Sequence, residues 1–216
     1  MKLYSVETMR EAERRSESEY GIPLSALMDN AGRGLALAAL DLLQNQNGPV
    51  GIFCGNGNNG GDGYVCASIL TEHKKDVLVW GIGLEKHPAG SLVKNAADAF
   101  RGAGGVIRSF SEETSANDIE CSLIIDALLG TGLTRPVEGL YAHAIRLINE
   151  APTPVLSCDL PSGVDADTGR IMGLAVRADK TLMMGLAKMA CELPPGSEYF
   201  GDTEVCDIGL PRELIL

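Results

Sequence analysis

Residues 54–63 read CGNGNNGGDG. An apolar run, Val50-Gly51-Ile52-Phe53, precedes them, and a helical-looking run, YVCASILTEH, follows from Tyr64. A glycine-rich turn from strand to helix is the usual cradle for phosphate, because free N–H groups at the helix start converge on the anion. This turn satisfies G-x-G-x-x-G through Gly55, Gly57 and Gly60, yet it carries no Lys, Ser or Thr and offers Asn58, Asn59 and Asp62 instead. The glycine pattern is weak by itself. A dinucleotide redox site also needs an acid at the end of the next strand to hold a ribose. Here that strand ends in Trp80-Gly81-Ile82, and Asp76 stands at the opposite edge. No G-K-[ST] sequence follows the glycines, so a Walker loop is excluded.

The alternation of strand and helix continues outward. Strands are expected at 50–54, 76–82, 106–109, 121–127, 154–159, 179–184 and 204–207, with helices at 61–74, 90–103 and 137–149. Ahead of them, Ser5 or Thr8 caps a first helix that runs to Tyr20 and stops at Gly21. It is polar on most faces and reads as a surface or partner-facing helix. Pro23 opens a second helix over 24–43, whose small residues allow close packing, and Gly48-Pro49 follow it. Apolar strands alternating with helices specify the α/β class: a three-layer α/β/α sandwich around a Rossmann-like, mostly parallel sheet. No repeat, linker or low-complexity tract interrupts the pattern, so residues 1–216 read as one domain.

Composition narrows the function. The 216 residues are 45% hydrophobic and 22% charged, and a chain of this size buries roughly 70% of its unfolded surface. The formal charge of −11 argues against nucleic acid or an anionic membrane as the partner. Six scattered cysteines without a CxxC, and three histidines, argue against zinc. Cys54, Cys121 and Cys158 are expected as buried reduced thiols of a cytoplasmic protein. The N-terminus shows no signal-peptide core, and no apolar run is long enough for a membrane span.

In an open parallel sheet, ligands bind beyond the carboxyl ends of the strands where strand order reverses. Three segments dense in Gly, Asp and Asn then share one crevice: GNGNNGGDG, DALLGTGLTRP and DLPSGVDADTG. Asp62 reads either as a first-turn helix acid or as a polar contact in the crevice. Asn58 and Asn59 read either as turn formers or as oxygen donors to hydroxyls or a cation. Asp126 ends an apolar strand, so it accepts N–H bonds from its own turn or shares a hard cation with an Asn of the first loop and an oxygen near Ser162. Gly130, Thr131, Gly132 and Leu133 read as a tight turn or a phosphate nest, with Arg135 adding charge. Asp159 closes a strand before the stiff Leu160-Pro161, which suits general acid–base work. Asp165 is expected to order its turn, and Asp167 to be solvated. Lys188 either approaches the crevice or is solvated.

These three segments, in this order and spacing, together with MDNAG at 28–32 and IGLP at 208–211, resemble the NAD(P)H-hydrate epimerases, the YjeF N-terminal domain family. The likeness covers essentially the whole chain. It implies a Rossmann-like fold, commonly dimeric, that interconverts the R and S forms of NADHX or NADPHX, nicotinamide nucleotides hydrated at C6. An ADP- or ATP-dependent dehydratase would then restore the S form. A potassium ion is implied at Asn59, Asp126 and Ser162. Substrate contacts are implied at Asn58, Asn59, Gly60, Gly61 and Asp62, at Gly130, Thr131, Gly132, Leu133, Thr134, Arg135 and Pro136, and at Asp159. Asp159 is the expected proton-transferring residue. Relatives often continue into a dehydratase domain, so a chain closing on GLPRELIL is either a stand-alone epimerase or an excised part of a larger enzyme. The rival class, a non-catalytic dimerisation or interaction module, would be expected to lose Asp126 or Asp159, and both are present.

Overall fold

The computed structural model describes residues 2–43 and 48–215. Helix α1 (Val6–Tyr20) starts where the Ser5 hydroxyl accepts the Thr8 N–H and ends at Gly21, whose φ of 68° is the left-handed turn glycine favours. Helix α2 (Leu24–Leu43) follows Pro23. Seven parallel strands come next: β1 (Val50–Cys54), β2 (Val77–Gly81), β3 (Ile107–Ser109), β4 (Leu123–Ala127), β5 (Val155–Cys158), β6 (Lys180–Met184) and β7 (Asp202–Cys206). Helices α3 (Asn58–Glu72), α4 (Leu92–Gly102) and α5 (Gly139–Glu150) join them.

The sheet order is β3-β2-β1-β4-β5-β6-β7, so strand order reverses between β1 and β4. Side chains alternate across the sheet as the pleat requires. Ile52, Cys54, Leu123 and Ile125 face the core under α2, α3 and α4. Phe53 and Ile124 face the core under α5, where Phe53 stacks on Trp80 with ring centroids 4.7 Å apart. The small residues of α2 do bring it close to α3: a Cβ on Gly32 would stand 2.4 Å from Val65 Cβ.

Two boundaries move in ways that matter for the site. Helix α3 begins at Asn58, three residues before the expected start, so Asn58, Asn59 and Gly60 form its first turn despite poor helix propensity. The backbone contacts of that turn override propensity: a Cβ on Gly60 would lie 2.0 Å from the Gly55 carbonyl oxygen. Strand β5 ends at Cys158, one residue early, because Asp159 takes a left-handed φ of 68°. Cys54 and Cys158 are buried as expected, whereas Cys121 is half-buried because β4 begins two residues after it.

Candidate active site

The three loops do converge. A cavity of about 940 Å³ opens at the carboxyl ends of β1, β4 and β5, within the range of small-molecule sites. Asn58, Asn59, Asp62, Asp159 and the whole run from Gly130 to Pro136 line it. Gly60 and Gly61 are buried behind that wall, Gly61 beneath the Met28 side chain.

The first two loops touch backbone to backbone. A Cβ on Gly55 would sit 1.7 Å from the Leu128 carbonyl oxygen, so only glycine permits the approach. The Gly55 N–H donates to the Ala127 carbonyl at 2.9 Å. Among the described residues, the N–H groups of Gly130, Thr131 and Gly132 donate to no protein acceptor, while the Leu133 N–H closes the turn on Gly130 at 3.4 Å. Three unspent donors at the cavity wall are what an anion nest requires.

Asp126 is fully buried and has four donors. Ser162 Oγ at 2.6 Å and the Leu128 N–H at 3.3 Å reach one oxygen; Ser157 Oγ and the Ser162 N–H, both at 2.9 Å, reach the other. The carboxyl thereby locks β4, β5 and the loop after β5 together. Burial raises its pKa, and the Ser162, Ser157 and Leu128 hydrogen bonds oppose that rise. Ser162 Oγ also accepts the Leu129 N–H at 2.8 Å, and its hydroxyl has the Leu129 carbonyl as a second acceptor at 3.2 Å. Asn59 is 7% exposed, and its amide nitrogen has no hydrogen-bond partner among the described residues.

Of the two readings its sequence position allows, Asp62 is not the first-turn helix acid but the polar group in the crevice. With α3 starting at Asn58, it falls in the second turn, buried, with the Cys158 thiol 3.8 Å from its carboxylate. Burial pushes its pKa well above the usual carboxylate range, and the charges of Asp159 and Glu13 push it further. Glu13 on α1 is raised for the same two reasons, burial first and Asp159 second, with Lys188 and Arg10 opposing.

Asp159 is 13% exposed at its side chain and lines the cavity. Its N–H donates to the Leu182 carbonyl at 2.8 Å, and its Oδ1 accepts the Met184 N–H at 3.0 Å. Of its two expected places Lys188 takes the first: it is not solvated but approaches the crevice from behind its wall. It is 2% exposed, forms an ion pair with Asp159 Oδ1 and donates to the Met184 carbonyl at 2.6 Å. Asp165 orders its turn as expected, accepting the Thr168 N–H at 2.9 Å. Asp167 is half-buried instead of solvated, because its carboxylate accepts the Val6 N–H at the start of α1 at 2.8 Å.

Residues outside the expected set complete the cavity. Met9, Arg10 and Glu13 bring α1 to one wall, and Asn56, Lys86 and Tyr141 form the side below β2. The Tyr141 hydroxyl accepts the Asn56 N–H at 3.1 Å and donates to Asn56 Oδ1 at 3.0 Å. Glu13 had a legible signal: Met9, Ala12 and Ser16 are the buried residues of α1, and Glu13 lies four positions after Met9 on that stripe. Asn30 donates to the Ile208 carbonyl at 2.8 Å, tying the MDNAG and IGLP segments together. Among the described residues there is no cluster of three His, Cys, Asp or Glu side chains suited to a metal, and no helix long and apolar enough to cross a membrane.

Residues 24–190 match the family model described as YjeF-related protein N-terminus. An NAD(P)H-hydrate epimerase from Elusimicrobium minutum is 35% identical, over 100% of this chain and 99% of its own length. A bifunctional NAD(P)H-hydrate repair enzyme from Thermofilum pendens is 36% identical over 100% of this chain, which spans only 41% of that protein. The crystal structure of a yeast protein, YNL200c, superposes with a TM-score of 0.80 at 21% identity, covering 95% of this chain and 87% of the other. With a family model matched over most of its length and a relative aligned end to end, the chain belongs to the YjeF-related N-terminal family.

Proposed function

We propose that the protein is an NAD(P)H-hydrate epimerase that interconverts the R and S forms of NADHX and NADPHX. The observation that carries this reading is one cavity that combines unspent backbone donors at Gly130–Gly132 with the carboxyl groups of Asp62, Asp159 and Glu13. The loop donors suit the pyrophosphate, and the carboxyl groups suit the hydrated ring. The full-length likeness to a protein named as this epimerase supports it.

Inversion at C6 breaks and remakes a bond at a carbon that bears a hydroxyl. Either the hydroxyl leaves with a proton while the ring nitrogen supplies its electron pair, or the ring opens at that nitrogen and recloses on the other face. Both routes deliver one proton and take one back, so the net proton count is zero. Asp159 is the proposed proton carrier: it lines the cavity, and its Oδ2 has no hydrogen-bond partner among the described residues. Asp62 also lines the cavity, and burial, which raises its pKa, favours the protonated form that could donate a hydrogen bond to the same substrate.

The residues fit a potassium ion. Asn59 has a buried amide with an unmet nitrogen, so its oxygen is free to turn to a cation, and Ser162 and Asp126 supply adjoining oxygens 2.6 Å apart. Turning the Ser162 hydroxyl to the Leu129 carbonyl would release one acceptor site on Asp126. A bound ion would offset carboxylate charge and hold the first and second loops in register. The reading also includes a homodimer, a cytoplasmic setting and coupling to a separate or fused dehydratase; the bifunctional name of the Thermofilum relative supports that coupling.

The test incubates the protein with R-NADPHX and an S-specific dehydratase and follows the return of NADPH. Recovery faster than the spontaneous rate is expected, more so in potassium than in a bulky organic cation. Asp159→Asn is expected to remove the acceleration without loss of fold. A wild-type rate equal to the spontaneous one in both salts would refute the reading.

A further inference from the structure

Among the described residues, Lys188 is the one buried cation beside the proposed reacting groups, and the sequence assigns it no role. Its ammonium reaches two acceptors, the Met184 carbonyl at 2.6 Å and Asp159 Oδ1, and its charge is felt by Glu13 and Asp62 as well. Its side chain is 3% exposed and absent from the cavity lining, so it stands behind Asp159. Its backbone is fixed too. Lys188 pairs with Tyr4 in an isolated parallel bridge, the Tyr4 N–H donates to the Ala187 carbonyl at 2.9 Å, and the Lys188 N–H meets the Met183 sulfur at 3.4 Å. The residue it serves needs holding. Asp159 carries a left-handed φ of 68°, which an L side chain adopts only where surrounding structure enforces it.

Three contacts hold Asp159, and they are unequal. Its own N–H bonds Leu182; the Met184 N–H and the Lys188 ammonium both take Oδ1; Oδ2 has no partner among the described residues. We propose that Lys188 is a positioning residue: together with the Met184 amide it captures one oxygen of Asp159 and thereby presents the other to the cavity, in the geometry that proton exchange at C6 demands. This inference rests on the epimerase reading for its kinetic consequence and on the ion pair alone for its structural one. Proton transfer is steep in distance and angle, so loss of the anchor should slow turnover without greatly weakening binding, which the loop amides supply.

The experiment compares wild type, Lys188→Met, Lys188→Gln, Asp159→Asn and the Asp159→Asn/Lys188→Met pair. In the coupled assay the two Lys188 variants are expected to lose about 10- to 100-fold in kcat, with KM within about threefold of wild type. In urea unfolding the two sites should be non-additive. Lys188→Met alone leaves a charged carboxylate without its partner, and adding Asp159→Asn relieves that burden, so the double variant should be more stable than Lys188→Met. Wild-type-like kcat in folded Lys188→Met and Lys188→Gln, or a KM effect with kcat intact, overturns the proposal. If neither single variant folds, the double variant decides: a folded one with a wild-type near-ultraviolet spectrum supports a role through Asp159, and an unfolded one assigns Lys188 to the fold and overturns it. If wild type shows no epimerase activity, the functional reading fails separately, and the urea cycle still tests whether Lys188 serves Asp159.

Discussion

Replacing Gly55 by alanine tests the joint between the two loops. The added methyl would lie 1.7 Å from the Leu128 carbonyl oxygen, where real Cβ contacts are not found below 3.0 Å. Both partners are backbone, so neither can rotate away, and the second loop must move by more than an ångström. Three bonds anchor that loop at the collision: Gly55 N–H to Ala127 at 2.9 Å, Leu128 N–H to Asp126 at 3.3 Å and Leu129 N–H to Ser162 at 2.8 Å. Overpacking strain of about 1–3 kcal/mol, with about 1 kcal/mol for one of these bonds stretched beyond use, gives an expected loss of about 2–4 kcal/mol. A shift of about 1 Å in a substrate-positioning loop should also cost about 100-fold in turnover. Urea unfolding and the coupled NADPH assay measure the two effects. Gly102→Ala is the control: its methyl meets nothing within 4 Å, and stability should be unchanged or up to about 1 kcal/mol higher. If Gly55→Ala matches wild type in urea midpoint and stays within about threefold in turnover, the backbone contact is not what holds the loops.

Asp62 sets a pH dependence. Its folded pKa is raised, so its contribution to stability is greatest below the unfolded carboxylate value and declines as pH rises towards the folded one. Asp62→Asn should remove that decline, making the variant gain on wild type in urea titrations as pH rises above the ordinary carboxylate range. Asp126→Ala leaves the Ser157 and Ser162 hydroxyls and the Leu128 and Ser162 N–H groups without their acceptor, and should cost more than about 3 kcal/mol by the same measurement. If potassium binds at Asn59, Asp126 and Ser162, its stabilising effect in a thermal-shift titration should disappear in Asn59→Ala, and sodium should substitute poorly.

Much of the architecture is written in local pattern. Strand β1 falls at 50–54 as its apolar run predicts, and every expected strand is present with shifts of one or two residues. That follows from burial on both faces, which makes parallel strands read as continuous apolar runs. The convergence of the three loops is legible because strand order reverses between β1 and β4. What escapes the sequence depends on contacts distant along the chain. Asn58 and Asn59 enter a helix because Gly55 and Gly60 interlock, which no propensity records. Lys188, within the apolar run Leu186–Met189, belongs to Asp159, twenty-nine positions earlier, and only the pairing of β5 with β6 joins them. The buried state of Asp62 follows from α3 lying over Cys158, which likewise needs the third dimension.

The docking of α1 has a practical side. The span by which the family is recognised, 24–190, leaves out α1, the Tyr4 bridge to Lys188 and strand β7. A polypeptide trimmed to that span would still be identifiable, but one wall of its cavity would be solvent, β6 would be a bare edge, and Asn30 would lose the Ile208 carbonyl. The part of the molecule that carries the family's signature is therefore smaller than the part that can do its work. Domain swaps or tags should therefore spare α1 and β7, and not be joined at the borders of the recognisable span.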